Sequence, residues 1–326
     1  MSPRWPSADA VRTIEVVRAS SLGDVVLCEP VLRAVAGRYP NAELTFVTRS
    51  PYGALFAGHP HVARVLDLDV DVDTAPPDLC LDLHGRWATR RRAARARAAV
   101  VWRKRDALDL LRTAAGLPMR ARPVGFDDQV TRMLVDLDLT GTSGGRAAVL
   151  HPKDRAGQRA GVVLLPGSRW PTKMWPEAHW RALGRALLDS GRPVSVLGGP
   201  GDAPVLERLA LGGLDVLDPG LDLQRVMTRL TGFACAVGND SGLTHLAAAV
   251  GTPTVVLFGP TRASRWAPRG EAVAVVARPP PCAPCSDYGA RPCRQPRRLC
   301  LDDLTVTEVL SALSSVCPLT RNCGIP

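Results

Sequence analysis

One stretch of this chain constrains its fold more than any other. Residues 233–237 are apolar and strand-like, Gly238-Asn239-Asp240-Ser241 form a polar turn, and Gly242-Leu243-Thr244-His245 open a small-residue helix that runs to Gly251. A strand handing over to a helix through such a turn is half of a parallel α/β unit. The pattern recurs along the chain. A β-branched run at 13–18 ends in Ser20-Ser21-Leu22-Gly23 and is followed by an apolar helix from Asp24 toward Ala36. Strands follow at 43–48, 65–69 and 79–83, the last ending at His84-Gly85, and the Arg-rich stretch beyond reads as helical. Residues 140–160 are polar and Gly-rich, as a linker is. A second series then begins: strand 162–165 with Pro166-Gly167-Ser168 after it, helix 176–189, strand 193–197 with Gly198-Gly199-Pro200-Gly201, helix 203–211, and strands 233–237 and 254–258. Two successive Rossmann-like domains, 1–155 and 156–326, are the economical reading. No G-x-G-x-x-G follows the first strand, which counts against a nicotinamide dehydrogenase.

Open α/β sheets bind ligands at the carboxyl ends of their strands, and four polar, glycine-bearing turns fall at such ends: 20–24, 166–173, 198–202 and 238–244. The 238–244 turn is suited to a diphosphate. The first N–H groups of a helix lack intrahelical partners, Gly242 allows close approach, and Ser241 and Thr244 carry hydroxyls. Asn239, Asp240 and Ser241 equally suit an ordinary N-cap. Lys173 lies in a loop stiffened by Pro166, Pro171 and Pro176, where a fixed ammonium would stabilise a departing nucleotide. Asp24, in the first turn of the first helix, is a candidate general base, although the helix dipole there opposes basicity. His245 and His84 read first as packed histidines and second as ligand contacts.

The chain has 326 residues, enough for two cores, and its 46% apolar and 22% charged content is that of a soluble globular protein. No apolar run reaches bilayer length, and residues 1–10 lack the apolar core of a signal peptide, so a cytoplasmic location is expected. The net charge of +10 is concentrated: Arg86, Arg90, Arg91, Arg92, Arg95, Arg97, Arg103, Lys104 and Arg105 fall together, with no acid between Asp82 and Asp106. Nucleic acid, anionic lipid and phosphorylated sugar are the partners such a cluster suits. Four of the nine cysteines, Cys282, Cys285, Cys293 and Cys300, approach metal-ligand spacing. A structural Zn2+ site is one reading of them, and four reduced thiols in a packed loop is the other.

In order along the chain, Arg18-Ala19-Ser20-Ser21-Leu22-Gly23-Asp24-Val25-Val26, Asp82-Leu83-His84-Gly85, Pro166-Gly167-Ser168, Lys173-Met174-Trp175-Pro176, Gly238 through Ala247, and Leu257-Phe258-Gly259-Pro260-Thr261 resemble glycosyltransferase family 9. These are the ADP-heptose:lipopolysaccharide heptosyltransferases. The cysteine cluster followed by Leu301-Asp302-Asp303-Leu304-Thr305 is similar to the tail of that family, so the resemblance runs from about residue 13 to residue 312. It implies an α/β fold of GT-B type, with two Rossmann-like domains facing each other across a cleft, the first for the acceptor and the second for the nucleotide sugar. It also implies inversion at the anomeric carbon without an essential metal. Asp24 matches the base, and Lys173 the lysine on the donor phosphates. Ser168, Asp240, Ser241, Gly242, Leu243, Thr244 and His245 fall at the donor site. Ser21, Gly23, His84, Arg86, Arg90, Arg91 and Arg92 fall on the acceptor side. The expected partners are an ADP-sugar, a phosphorylated glycolipid or core oligosaccharide, and the anionic inner face of the inner membrane, with no nucleic acid. Two other readings stand beside this one, a GT-B sugar-nucleotide epimerase and a basic nucleic-acid-binding protein.

Overall fold

The computed structural model describes residues 5–71, 74–102, 128–141, 145–157, 159–211 and 213–317. These form two compact units, the described residues of 5–102 and 128–153 in one and those of 154–317 in the other.

The first unit is built on a five-stranded sheet of order β3-β2-β1-β4-β5. Its strands are β1 (Thr13–Val17), β2 (Glu43–Thr48), β3 (Arg64–Asp67), β4 (Leu79–Asp82) and β5 (Ala98–Val101), all paired in parallel. β1, β2 and β4 are almost wholly buried, as central strands covered on both faces must be. After β1 the chain makes a short helix, Leu22–Val26, and then a separate one, Glu29–Arg38, so the single helix expected from Asp24 is broken at Leu27 and Cys28. Pro30 sits in the first turn of the second helix, where a missing N–H is tolerated. The Arg-rich segment is also not one helix. Helix Trp87–Ala93 gives way to β5, whose Ala-Ala-Val-Val sequence is paired with β4. Arg103, Lys104 and Arg105 lie outside the described residues.

The second unit has a six-stranded sheet of order β11-β10-β9-β6-β7-β8, also all parallel. Its strands are β6 (Val162–Leu165), β7 (Val194–Val196), β8 (Asp215–Val216), β9 (Cys235–Asn239), β10 (Thr254–Phe258) and β11 (Val273–Ala277). In chain order this is the doubly wound 3-2-1-4-5-6 arrangement, whose switch point lies between the first and fourth strands, here β6 and β9. Helix Glu177–Asp189 packs Trp180, Leu183 and Leu187 into the core with Val162 and Leu164 of β6, Val237 of β9 and Leu257 of β10. The strand registers set which loops meet. Val17 pairs with Asp82, Leu165 with Gly238, and Leu257 with Asn239, so the chain leaves neighbouring strands at matched heights. Among the described residues no helix is long and apolar enough to cross a membrane.

Candidate active site

In the first unit, the β1–β4 register brings the residue after β1, Arg18, beside Leu83. Arg18 is 4% exposed. Its Nε donates to the Ser20 carbonyl at 2.9 Å, its Nη1 to the Leu83 carbonyl at 2.6 Å, and its Nη2 lies 2.8 Å from Asp24 Oδ2. Ser21 Oγ donates to the same Asp24 oxygen at 3.3 Å, and Gly23 beside it is half-buried. Asp82, fully buried at the end of β4, accepts the N–H groups of His84 and Gly85 at 2.8 Å each and the Thr89 hydroxyl at 2.9 Å. That carboxylate shapes the turn that presents His84 and Arg86. Gly85 needs its positive φ of 68°, and a Cβ there would also meet the Trp102 carbonyl oxygen at 3.0 Å. A shallow cavity of about 490 Å3 is lined by Ala19, Arg49, His84, Arg86, Trp87, Ala88 and Thr89. Of the cations expected on the acceptor side, Arg86, Arg90 and Arg91 are exposed, and Arg91 stacks over the Trp87 ring at 4.9 Å. Arg92 departs from that expectation. It is buried, its Nε and Nη2 fork onto Glu15 at 2.8 and 2.9 Å, and it also reaches the Asp71 carbonyl and the Thr74 hydroxyl. Its donors hold the sheet to the helix, so it is a core residue and not an acceptor contact. Arg49 and Trp87 were missed in sequence because neither stands in a recognisable motif.

The second unit gathers the expected donor residues at the carboxyl ends of β6 and β9. Pairing of Leu165 with Gly238 leaves Pro166 beside Asn239. Asn239, fully buried, donates from Nδ2 to the Pro166 carbonyl at 2.6 Å and accepts the Trp175 N–H on Oδ1 at 3.0 Å. This amide therefore latches both ends of the Lys173 loop and is not a helix cap. Gly238 is required by close packing, since a Cβ would fall 2.2 Å from Thr244 Oγ1 and 2.9 Å from Leu165 Cβ. Asp240 is 4% exposed; its Oδ2 lies 2.7 Å from Lys173 Nζ and accepts the Thr261 hydroxyl at 2.6 Å, and its Oδ1 lies 4.0 Å from His245 Nε2. So the carboxylate orients Lys173 and His245 instead of facing an anion itself. His245 is a packed histidine, 5% exposed, facing a carboxylate side chain. Thr244 differs from expectation too: it is fully buried and donates to the Asn239 carbonyl at 2.7 Å, which uses its only proton.

Ser241 occupies the N-cap position of helix Gly242–Ala249 but makes no side-chain capping bond to it. Its hydroxyl lies 3.2 Å from Thr244 Oγ1. The ordinary-cap reading of this turn therefore fails, and the helix start beside Gly242 and Leu243, both half-buried, keeps its partial positive charge for another acceptor. Ser168 is half-buried on the neighbouring loop. Asp202, which closes the 198–202 turn but was given no role of its own in the sequence, follows β7 and accepts the Gly199 N–H at 2.9 Å. Its carboxylate lies so close over Gly167 that a Cβ there would be 2.2 Å from Oδ2.

The cysteine-bearing loop braces Lys173. Thr172 donates to the Gly289 carbonyl, and Arg298 Nη1 donates to the Pro171 and Met174 carbonyls at 2.9 and 2.6 Å. A Cβ on Gly289, whose φ is 87°, would stand 2.5 Å from Lys173 Cδ. Cys282, Cys285 and Cys293 are exposed and Cys300 is buried. Burial, with the thiols of Cys285, Cys293 and Cys282 nearby, pushes Cys300 up to about 11, and burial with Cys282 and Cys293 raises Cys285. The four are thus electrostatic neighbours. Among the described residues no group of three or more His, Cys, Asp or Glu is placed to hold a metal ion as the side chains stand.

Two parallel-sheet, doubly wound α/β units in one chain are the make-up of a GT-B fold. The sequence comparisons name the chain's family. The profile described as glycosyltransferase family 9 (heptosyltransferase) matches residues 74–292. Lipopolysaccharide heptosyltransferase 1 of Pseudomonas aeruginosa is 32% identical over 308 residues, covering 83% of this chain and 85% of that protein. The chain therefore belongs to glycosyltransferase family 9. Among solved structures, Escherichia coli ADP-heptose lipopolysaccharide heptosyltransferase II superposes with a TM-score of 0.71 at 18% identity, covering 93% of this chain and 98% of that one. E. coli heptosyltransferase WaaC with ADP gives 0.65 at 20% identity, covering 93% and 99%. These matches favour neither the epimerase nor the nucleic-acid-binding reading.

Proposed function

We infer that this enzyme moves a heptose from an ADP-sugar to a hydroxyl of a phosphorylated lipopolysaccharide-core acceptor, with inversion and without a metal at the reaction centre. The observation that carries this is the pairing of Lys173 with Asp240 beside the uncapped start of helix Gly242–Ala249. A cation held by a buried carboxylate next to helix N–H groups suits a diphosphate leaving group, because charge that develops on it meets donors already in place. Ser168, Ser241, Gly242 and Leu243 border that position. Asp202, following the second strand of a doubly wound unit, suits ribose hydroxyls. The relatives support the donor, since one similar structure is of an ADP-heptose transferase and another holds ADP.

In this reading the acceptor hydroxyl attacks the anomeric carbon while its proton passes to Asp24. The bond from that carbon to the phosphate oxygen breaks, and ADP leaves with the bonding pair. Arg86, Arg90 and Arg91 attract the acceptor's phosphates, with His84 beside them, and the same exposed arginines suit the anionic cytoplasmic face of the inner membrane. A thermal-shift panel tests the donor: ADP should raise the melting temperature more than UDP, GDP or dTDP at equal concentration. Equal shifts for all four would refute the adenine preference.

A further inference from the structure

One buried side chain in the first unit has no part in the steps above, yet it touches the group at their centre. Arg18 makes three contacts to three different places: the Ser20 carbonyl beyond β1, the Leu83 carbonyl beyond β4, and the Asp24 carboxylate on helix Leu22–Val26. The first two fix the guanidinium plane, because both acceptors are main-chain oxygens at the ends of buried strands. The third then fixes the carboxylate. Arg18 Nη2 and Ser21 Oγ both reach the same oxygen of Asp24, Oδ2. Asp24 is also the more open partner, its side chain 18% exposed against 5% for Arg18. The arginine is thus enclosed, and the carboxylate is held at the edge of solvent.

We propose that Arg18 is the positioning residue for the Asp24 carboxylate, locking one of its oxygens so that the group meets the acceptor hydroxyl in a single orientation. This rests on Asp24 being the base. Arg18 reaches substrate only through Asp24, and its guanidinium suits the task better than an ammonium. Its donors lie in one rigid plane and can serve three acceptors at fixed angles. A carboxylate free to rotate would spend most encounters misaligned, and misplacement of about 1 Å can lower turnover by about 100-fold. The link to Leu83 adds a second consequence. The Leu83 carbonyl leads into the turn that Asp82 shapes and that carries His84 and Arg86, so one cation ties the base to the start of the acceptor-side turn.

A double-mutant cycle tests the assignment, with ADP-heptose and heptose-free lipopolysaccharide core as substrates. Arg18→Met in the otherwise native enzyme should lower kcat by about 100-fold while the donor KM stays within about two-fold, as expected for an interaction used only in the transition state. In an Asp24→Asn background the same change should cost less than about three-fold, because a residue acting through a missing partner has nothing left to position. Arg18→Lys, which keeps the buried cation but not the planar fork, should fall between the two and lose its effect in the same background. It carries the cycle if Arg18→Met does not fold, folding being read from the thermal melt and from ADP binding. Equal losses with and without the Asp24 carboxylate would overturn the role of Arg18 and leave the proposed reaction standing. Near-native turnover of Asp24→Asn alone would overturn both.

Discussion

Replacing Asn239 by alanine removes two hydrogen bonds that meet in one fully buried amide, the bond to the Pro166 carbonyl at 2.6 Å and the bond from the Trp175 N–H at 3.0 Å. The partners left behind are themselves buried, Trp175 at 2% exposure. Each orphaned main-chain group costs about 1–3 kcal/mol, so the pair should lower stability by about 3 kcal/mol. For a unit of this size that corresponds to a fall in Tm of roughly 6–12 °C. The functional effect is separable. Pro166 and Trp175 bracket the loop that carries Lys173, so loosening them should weaken ADP binding by about ten-fold, or 1.4 kcal/mol, even where the protein is fully folded. Asn239→Asp is the control: it keeps an acceptor for Trp175 but sets a buried carboxylate against the Pro166 carbonyl, and should be at least as harmful. Denaturant titration gives the first quantity and calorimetry with ADP the second. An alanine variant within about 1 kcal/mol of the parent, binding ADP as tightly, would refute the latch.

Other consequences are as direct. Asp24→Asn should leave ADP affinity nearly intact and remove most turnover, whereas Lys173→Ala should harm both, measured by calorimetry beside steady-state kinetics. Arg92→Gln should cost about 3–5 kcal/mol, because it strands the buried Glu15 carboxylate, while Arg90→Gln with Arg91→Gln should leave stability within about 0.5 kcal/mol and raise the acceptor KM or weaken binding to anionic vesicles. The Cys300 thiol, ordinarily at 9.0, is held up to about 11. Its neutral form is favoured by folding, so that contribution is intact below pH 9.0 and is lost as pH rises toward 11, a trend that Cys300→Ala should reduce in alkaline melts. Metal analysis of protein purified without added zinc separates the two readings of the four thiols: one tightly held equivalent with a melt lowered by a chelator gives a zinc site, and far less than one equivalent with an unchanged melt gives reduced thiols.

The parallel α/β class and the strand–turn–helix junctions were legible because each is local: a β-branched run, a glycine turn and an apolar helix within about twenty residues carry the signal. Three strands escaped for equally local reasons. β5 is Ala-Ala-Val-Val inside an Arg/Ala-rich stretch and has no polar alternation to mark it. β8 has two residues, and β11 is a partly exposed edge strand. Side-chain roles were harder, and the errors share a cause. Arg92 was grouped with its neighbours in sequence, but its partner Glu15 lies 77 residues away, on β1. Nothing in a run of arginines marks the one that turns inward.

The donor turn shows the same limit in a more instructive form. Asp240, Ser241 and Thr244 could be recognised as a helix start, and a helix start has two uses: it can be capped by its own side chains or left for a ligand. Sequence cannot choose, because both uses call for the same residues. The choice is made at a distance. The β6–β9 register sets Asn239 against Pro166, which brings the Lys173 loop alongside, and Lys173 together with Thr261 draws the Asp240 carboxylate away from capping. Thr244 turns its proton back to the Asn239 carbonyl, in the space that Gly238 leaves by having no Cβ. Each side chain that would have capped the helix is engaged elsewhere. The helix start at Gly242 is thereby left without a side-chain cap, and Lys173, paired with the buried Asp240 carboxylate, is the cation that the proposed donor site uses.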